Sequence, residues 1–153
     1  MMTSRTLTPR RRPIVAVISD GPEAVTVGRC AAMTATEQNR PVVLLVPMPR
    51  PSFTTDAVIA LRMYQEAMRE AEAIAARPRP TLDTAGVKAV TTRIAWYRPG
   101  RARSRARAVR AAAHRVDAVV MVTAVPGSRR SAVFDPAMRT VVPDVASRPA
   151  APQ

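Results

Sequence analysis

Three short runs, "IVAVIS" (14–19), "VVLLVP" (42–47) and "DAVVMVT" (117–123), are almost wholly apolar and rich in β-branched residues. A strand with one wet face alternates apolar and polar residues, whereas an unbroken run of this kind suits a strand covered on both faces. Such strands need layers on either side, and the segments between them can supply these. Over 22–38, Ala24, Val27, Ala31 and Ala35 fall on one helical stripe, with Pro22 suited to the first turn. Over 54–77, Leu61, Tyr64, Met68, Ala71 and Ala75 recur at spacings of three and four; Thr55 or Asp56 can cap the start, and the pair Pro78 and Pro80 stops it. "VKAVTTRIAW" (87–96) is more polar and reads as a strand nearer a sheet edge, and "RTVV" (139–142) reads as a short fifth strand after an irregular segment. Alternation of this kind predicts a parallel sheet between helices, a three-layer α/β sandwich. Ligands in such sheets sit beyond the carboxyl ends of the strands where the strand order reverses, which directs attention to "SDGP" (19–22) and "TAVPGSRR" (123–130).

With 153 residues, 47% of them hydrophobic, the chain is sized for one domain. Residues 1–13 are expected to be a basic disordered tail, 14–145 the domain, and 146–153 a second disordered tail, because both ends are rich in Pro, Arg, Ser and Thr without periodicity. The net charge of +13 raises the question of a polyanionic partner. Lys88 is the sole lysine, however, and Arg, Ala and Pro are all abundant, a pattern that a GC-rich genome imposes without any binding role. The densest basic stretch is "RPGRARSRARAVRAAAHR" (98–115). On a helical wheel Ala102, Ala106, Val109, Ala113 and Val116 form a narrow apolar stripe, and Arg103, Arg107, Arg110 and His114 form a cationic one. Two readings follow: a solvated helix face, or an anion or nucleic-acid surface built on Arg103, Arg107 and Arg110. No aromatic residue interleaves with the arginines, so base stacking is excluded and phosphate contact alone would be available.

The residues for several chemistries are missing. Cys30 is the only cysteine, which rules out an intramolecular disulfide and a cysteine-based metal site within one chain. It falls beside the buried stripe of the first helix and reads as a small core residue. His114 is the only histidine and has no neighbouring carboxylate in sequence, so neither a catalytic triad nor a zinc site is expected. Ser128, Ser131 and Asp135 could form a polar cluster, but nothing selects a nucleophile or base among them. The chain is not expected to be an enzyme or to hold a metal. "IVAVI" is too short for a signal-peptide core, and no stretch approaches the ~20 apolar residues of a membrane span. A cytoplasmic protein without a membrane partner is expected.

The order and the residues resemble the universal stress protein family. "IVAVISDGPEAVTVGRCAAMTA" looks like its first strand, Asp-Gly turn and first helix; "RPVVLLVPMP" is similar to its second strand, "AGVKAVTTRIAW" to the opening of its third, and "RARAVRAAAHRVDAVVMVTA" to its third helix and fourth strand. The resemblance implies a five-stranded parallel sheet in the order 3-2-1-4-5, a homodimer formed through the C-terminal strand, and, in one branch, ATP across strands one and four. On this pattern Asp20 and Val46 match the adenine end of that site, Asp20 by its place in the turn and Val46 as the residue whose backbone reads the adenine edge. At the phosphate end the branch carries Gly, two residues, Gly, nine residues, then Gly followed by Ser or Thr, glycines that let backbone N–H groups approach phosphate. Counting from Gly127, Arg130 holds the second glycine's place, Thr140 and Val141 hold the last pair, and Pro126 removes a donor. The implied site, Asp20, Val46, Gly127, Ser128 and Arg130, is therefore degenerate at its phosphate end. No cofactor is expected; the alternative is a weak ATP or AMP sensor in which Arg129 and Arg130 replace the missing amides.

Overall fold

The computed structural model describes residues 11–101, 103–124, 131–134 and 141–143. Its elements follow in the order β1 (Ile14–Val17), α1 (Glu23–Gln38), β2 (Val42–Pro49), α2 (Ala57–Ala76), α3 (Arg79–Thr84), β3 (Val90–Tyr97), α4 (Ser104–Arg115), β4 (Val120–Ala124), β5 (Ser131–Phe134) and β6 (Val141–Pro143). They form one six-stranded sheet in the order β3-β2-β1-β4-β5-β6. β1 lies between β2 and β4 and parallel to both, with Ile14 opposite Val42 on one side and Val120 on the other. β3 continues the parallel part beyond β2.

The apolar runs are unbroken because alternate residues of each strand enter two different cores. Ile14, Ala16, Val42, Leu44 and Val46 pack with α1, Leu82 of α3 and the end of α2. Val15, Val17, Val43 and Leu45 pack with Val109, Ala112 and Ala113 of α4. Right-handed crossovers give this layering: stepping from β1 through β2 to β3 puts α1 and α2 on one face, and returning to β4 puts α4 on the other. The three-layer arrangement is thus as expected, and so are the central place of β1 and the edge position of β3.

The last part of the sheet departs from the expectation. The five-stranded parallel sheet in the order 3-2-1-4-5 is corrected to four parallel strands followed by two antiparallel ones, since β5 pairs antiparallel with β4 and β6 antiparallel with β5. Only six residues separate Ala124 from Ser131. A parallel crossover takes about a dozen or more, so a link of this length can only turn the chain back. The segment read as irregular contains β5, and the strand expected over 139–142 is β6, Val141–Pro143.

The helices begin and end for local reasons. Asp56 caps α2, its Oδ1 accepting from the backbone N–H groups of Val58 (2.9 Å) and Ile59 (3.1 Å). α1 ends where Asn39 turns left-handed (φ 50°) and returns its N–H to the carbonyls of Ala35 and Thr36. Pro78 and Pro80 do more than stop α2: Pro78 caps α3 and Pro80 sits in its first turn, where a missing N–H costs nothing. Two stripes need correction. In α2, Ala71, Ile74 and Ala75 are buried, but Leu61, Tyr64 and Met68 are exposed. In α4, Ala112 is buried and Ala106 exposed, and Arg103 precedes the helix as its N-cap at φ 66°.

Candidate functional site

The carboxyl end of β1 leads through Ser19, Asp20 and Gly21 into α1. The backbone N–H of Ile18 donates to the Leu45 carbonyl (2.9 Å), which sets this turn beside the middle of β2, one residue from Val46. Asp20 and Val46 are therefore brought to neighbouring strands, but in different environments. Asp20 is exposed and forms an ion pair with Arg77, Oδ1 to Nη2 at 2.8 Å. Arg77 is the C-cap of α2, 57 positions away in sequence. Val46 is fully buried and stands opposite Ile94 in the β2–β3 ladder. Ladder alternation directs its own N–H and C=O toward β3, since the N–H of Val42, four residues earlier, donates to the Ala89 carbonyl of the segment leading into β3.

On the opposite face of the sheet Arg105 of α4 reaches the same turn, donating from Nη2 to the Ser19 hydroxyl. The turn after β1 is thus held by two guanidinium groups, Arg77 from the α2 side and Arg105 from the α4 side. Sequence reasoning passed over both. In sequence Arg77 is only the residue before the Pro78 and Pro80 stop and Arg105 one arginine among many; the contacts with Asp20 and Ser19 alone distinguish them. Gly127, Ser128, Arg129 and Arg130 lie outside the described residues.

Arg103, Arg107 and Arg110 are exposed, as is His114, and among the described residues their side chains meet no carboxylate. Arg103 stands just outside the helix that carries the other two. Basic residues at the opposite rim of the sheet are engaged with backbone instead. Arg11 donates to the carbonyls of Gln38 and Asn39 at the end of α1, and Arg12 to those of Asp117 and Ala118 while pairing with the Asp117 carboxylate at 3.2 Å. Arg40 closes the set by donating to the Arg12 carbonyl. Carbonyls at a helix end carry partial negative charge, so these contacts give the N-terminal arginines a structural role.

Two shallow cavities lie away from the turn. One of about 360 Å³ runs between α1 and α3, lined by Arg29, Met33, Thr36, Glu37 and Thr81. Another of about 280 Å³ lies between the end of α1 and the segment entering β3. No group of three or more His, Cys, Asp or Glu side chains that could hold a metal ion occurs among the described residues, and no described helix is long and apolar enough to cross a membrane.

No family model and no curated protein matches the sequence. Solved structures do resemble the fold. UspA, a universal stress protein from Lactobacillus plantarum, superposes with a TM-score of 0.58 at 13% identity, over 78% of this chain and 80% of that one. A universal stress protein in complex with cAMP gives 0.54 at 16% identity, over 72% and 73%. A member of the family from Burkholderia pseudomallei gives 0.52 at 13%, over 76% and 83%. The chain has the universal stress protein fold. Within that fold the parallel core, β3-β2-β1-β4, carries the turn at Asp20, and the antiparallel pair β5 and β6 extends it.

Proposed function

We propose that this chain is a non-catalytic module of the universal stress protein type that works by dimerisation or partner binding and has a degenerate nucleotide site. The degenerate-site part of this reading is carried by the 2.8 Å ion pair between Asp20 and Arg77. The carboxylate that would serve the adenine end is already matched through Oδ1 by a cation of the same chain, so a ligand competes with Arg77 for it. Burial of Val46 in the ladder and Pro126 in the phosphate segment act in the same direction. Calorimetric titration with adenosine, AMP, ATP and cyclic AMP at near-physiological salt tests this; cyclic AMP is included because one similar structure is a complex with it. Feeble binding of all four is expected, strengthened for each by Arg77→Ala, which releases Asp20. Tight, magnesium-dependent ATP binding by the unaltered protein refutes the proposal.

A second reading has one observation in its favour: Arg103, Arg107 and Arg110 are exposed without a carboxylate partner among the described residues. As an anion or nucleic-acid surface, this stripe would bind through phosphate contacts. Changing all three to Gln should then flatten the dependence of log affinity on log salt by about one unit per lost contact. Binding that ignores salt rejects it.

A further inference from the structure

Among the described residues, β3 has a strand on one side only. The N–H of Val42 donates to the carbonyl of Ala89, and that of Arg50 to the carbonyl of Tyr97, so odd-numbered residues of this strand turn their peptide groups toward β2. By alternation Val90, Thr92, Ile94 and Trp96 present their N–H and C=O groups outward, at a sheet edge eight residues long with no proline in it. The other edge, β6, has three residues and ends in Pro143, which has no N–H to give.

Beside this edge lies the exposed part of α2. Leu61, Tyr64 and Met68, spaced three and four apart, are 59%, 45% and 55% exposed. The Tyr64 ring meets Trp96 of β3 edge-on at 5.4 Å, which brings the middle of the stripe to the open strand. On the other face, Ser104 marks the flank of α4 nearest β3, because its hydroxyl accepts from the Arg98 N–H just past that strand. At helical spacing this flank continues through the small residues Ala108 and Ala111 to Arg115 at the end of the helix.

We propose that a second copy of the chain adds to this edge, β3 against β3 antiparallel about a two-fold axis, joining the two sheets into one. This rests on the reading that the protein acts by dimerisation, and it moves the interface from the C-terminal strand that the resemblance implied to the opposite edge of the sheet. The match is self-complementary in all three layers: outward peptide groups meet their equivalents, the α2 stripes meet over one face, and the small flanks of α4 meet over the other. Side chains directly opposite must share a face, so the axis passes through a residue, and overlap of the eight-residue strands is greatest at its two central residues, Arg93 and Ile94. An axis at Arg93 would set two arginines face to face, whereas an axis at Ile94 pairs Ile94 with its equivalent, Arg93 with Ala95 and Thr92 with Trp96. The second register follows.

The area suffices for an association that depends on concentration. A 45%-exposed tyrosine leaves roughly 70–110 Å² uncovered. Leu61 and Met68 leave comparable areas, so the stripe offers about 300 Å². An edge about 26 Å long in a layer about 10 Å thick adds about as much again. The total, roughly 1,200 Å² over both copies, lies at the lower end of stable interfaces.

Sedimentation velocity of the full chain over a concentration series should show a monomer passing to a dimer. Leu61→Glu with Met68→Glu, both at exposed positions, should raise the dissociation constant by roughly ten- to a hundredfold with the circular dichroism spectrum unchanged. Under mild oxidation Ile94→Cys should link the dimer covalently, since directly opposed residues in a hydrogen-bonded antiparallel pair lie about 5.5 Å apart between Cα atoms, within disulfide reach. Arg93→Cys should not, nor should the parent, whose Cys30 is buried. A dimer indifferent to the double Glu variant and unlinked by Ile94→Cys overturns the β3 interface but leaves dimerisation standing. Linking by Arg93→Cys and not by Ile94→Cys overturns the register. A monomer at every concentration overturns both the interface and the dimerisation reading beneath it.

Discussion

Gly28 lies in the second turn of α1, where ordinary helix energetics favour its replacement by alanine by about 1 kcal/mol. The structure reverses that sign. A Cβ built on Gly28 would stand 2.5 Å from Cβ of Pro78 and 3.4 Å from its Cα. Pro78 is less than 2% exposed, and its Cβ belongs to a ring at the junction of α2 and α3, so no flexible side chain can swing aside. Restoring an ordinary carbon contact of ~3.5–4.0 Å requires α1 and that junction to part by roughly 1 Å. Overpacking of this kind costs about 1–3 kcal/mol, and the rigidity of both partners puts this site toward the upper end. After subtracting the helix-propensity gain, Gly28→Ala should destabilise by roughly 1–2 kcal/mol. For a chain of this size each kcal/mol moves Tm by about 2–4 °C, so a fall of ~3–6 °C is expected in thermal melts followed by circular dichroism. Adding Pro78→Gly removes the opposing Cβ, and the two changes together should cost less than the sum of each alone. A Gly28→Ala protein as stable as the parent, or more stable, would refute the close-approach argument.

Other positions give simpler tests by chemical denaturation. Asp56→Ala removes an N-cap that satisfies two backbone donors and should cost about 1 kcal/mol, while Asp56→Asn should cost less. Ile74→Ala should cost roughly 2–4 kcal/mol because Ile74 is 6% exposed, and Val58→Ala, in the same helix but 61% exposed, should stay within about 0.5 kcal/mol; equal losses at the two would contradict the division of α2 into packed and open halves.

The central strands and their helices were legible from sequence because the signals are local. A β-branched run with no polar interruption can be buried only on both faces, and Ile14, Val42 and Val122 behave accordingly. The α1 stripe of Ala24, Val27, Ala31 and Ala35 is buried throughout, since its period matches the helix and a sheet lies beneath its length. The same periodicity misled in α2. Leu61, Tyr64 and Met68 continue the stripe of Ala71 and Ala75, but burial also requires something to pack against, and among the described residues no strand lies beyond β3. The reversal at β5 was not legible, because Ser131–Phe134 reads as irregular in sequence and a next strand over 139–142 leaves a link after Ala124 long enough for a parallel crossover. The candidate site depended most on tertiary structure. Asp20 in an Asp-Gly turn is visible in the sequence, but its neutralisation by Arg77 joins residues 57 positions apart, and the grip of Arg105 on Ser19 joins residues 86 apart. Composition and period report what a segment can bury; which charge meets which carboxylate depends on how distant segments are brought together, and only the folded chain decides that.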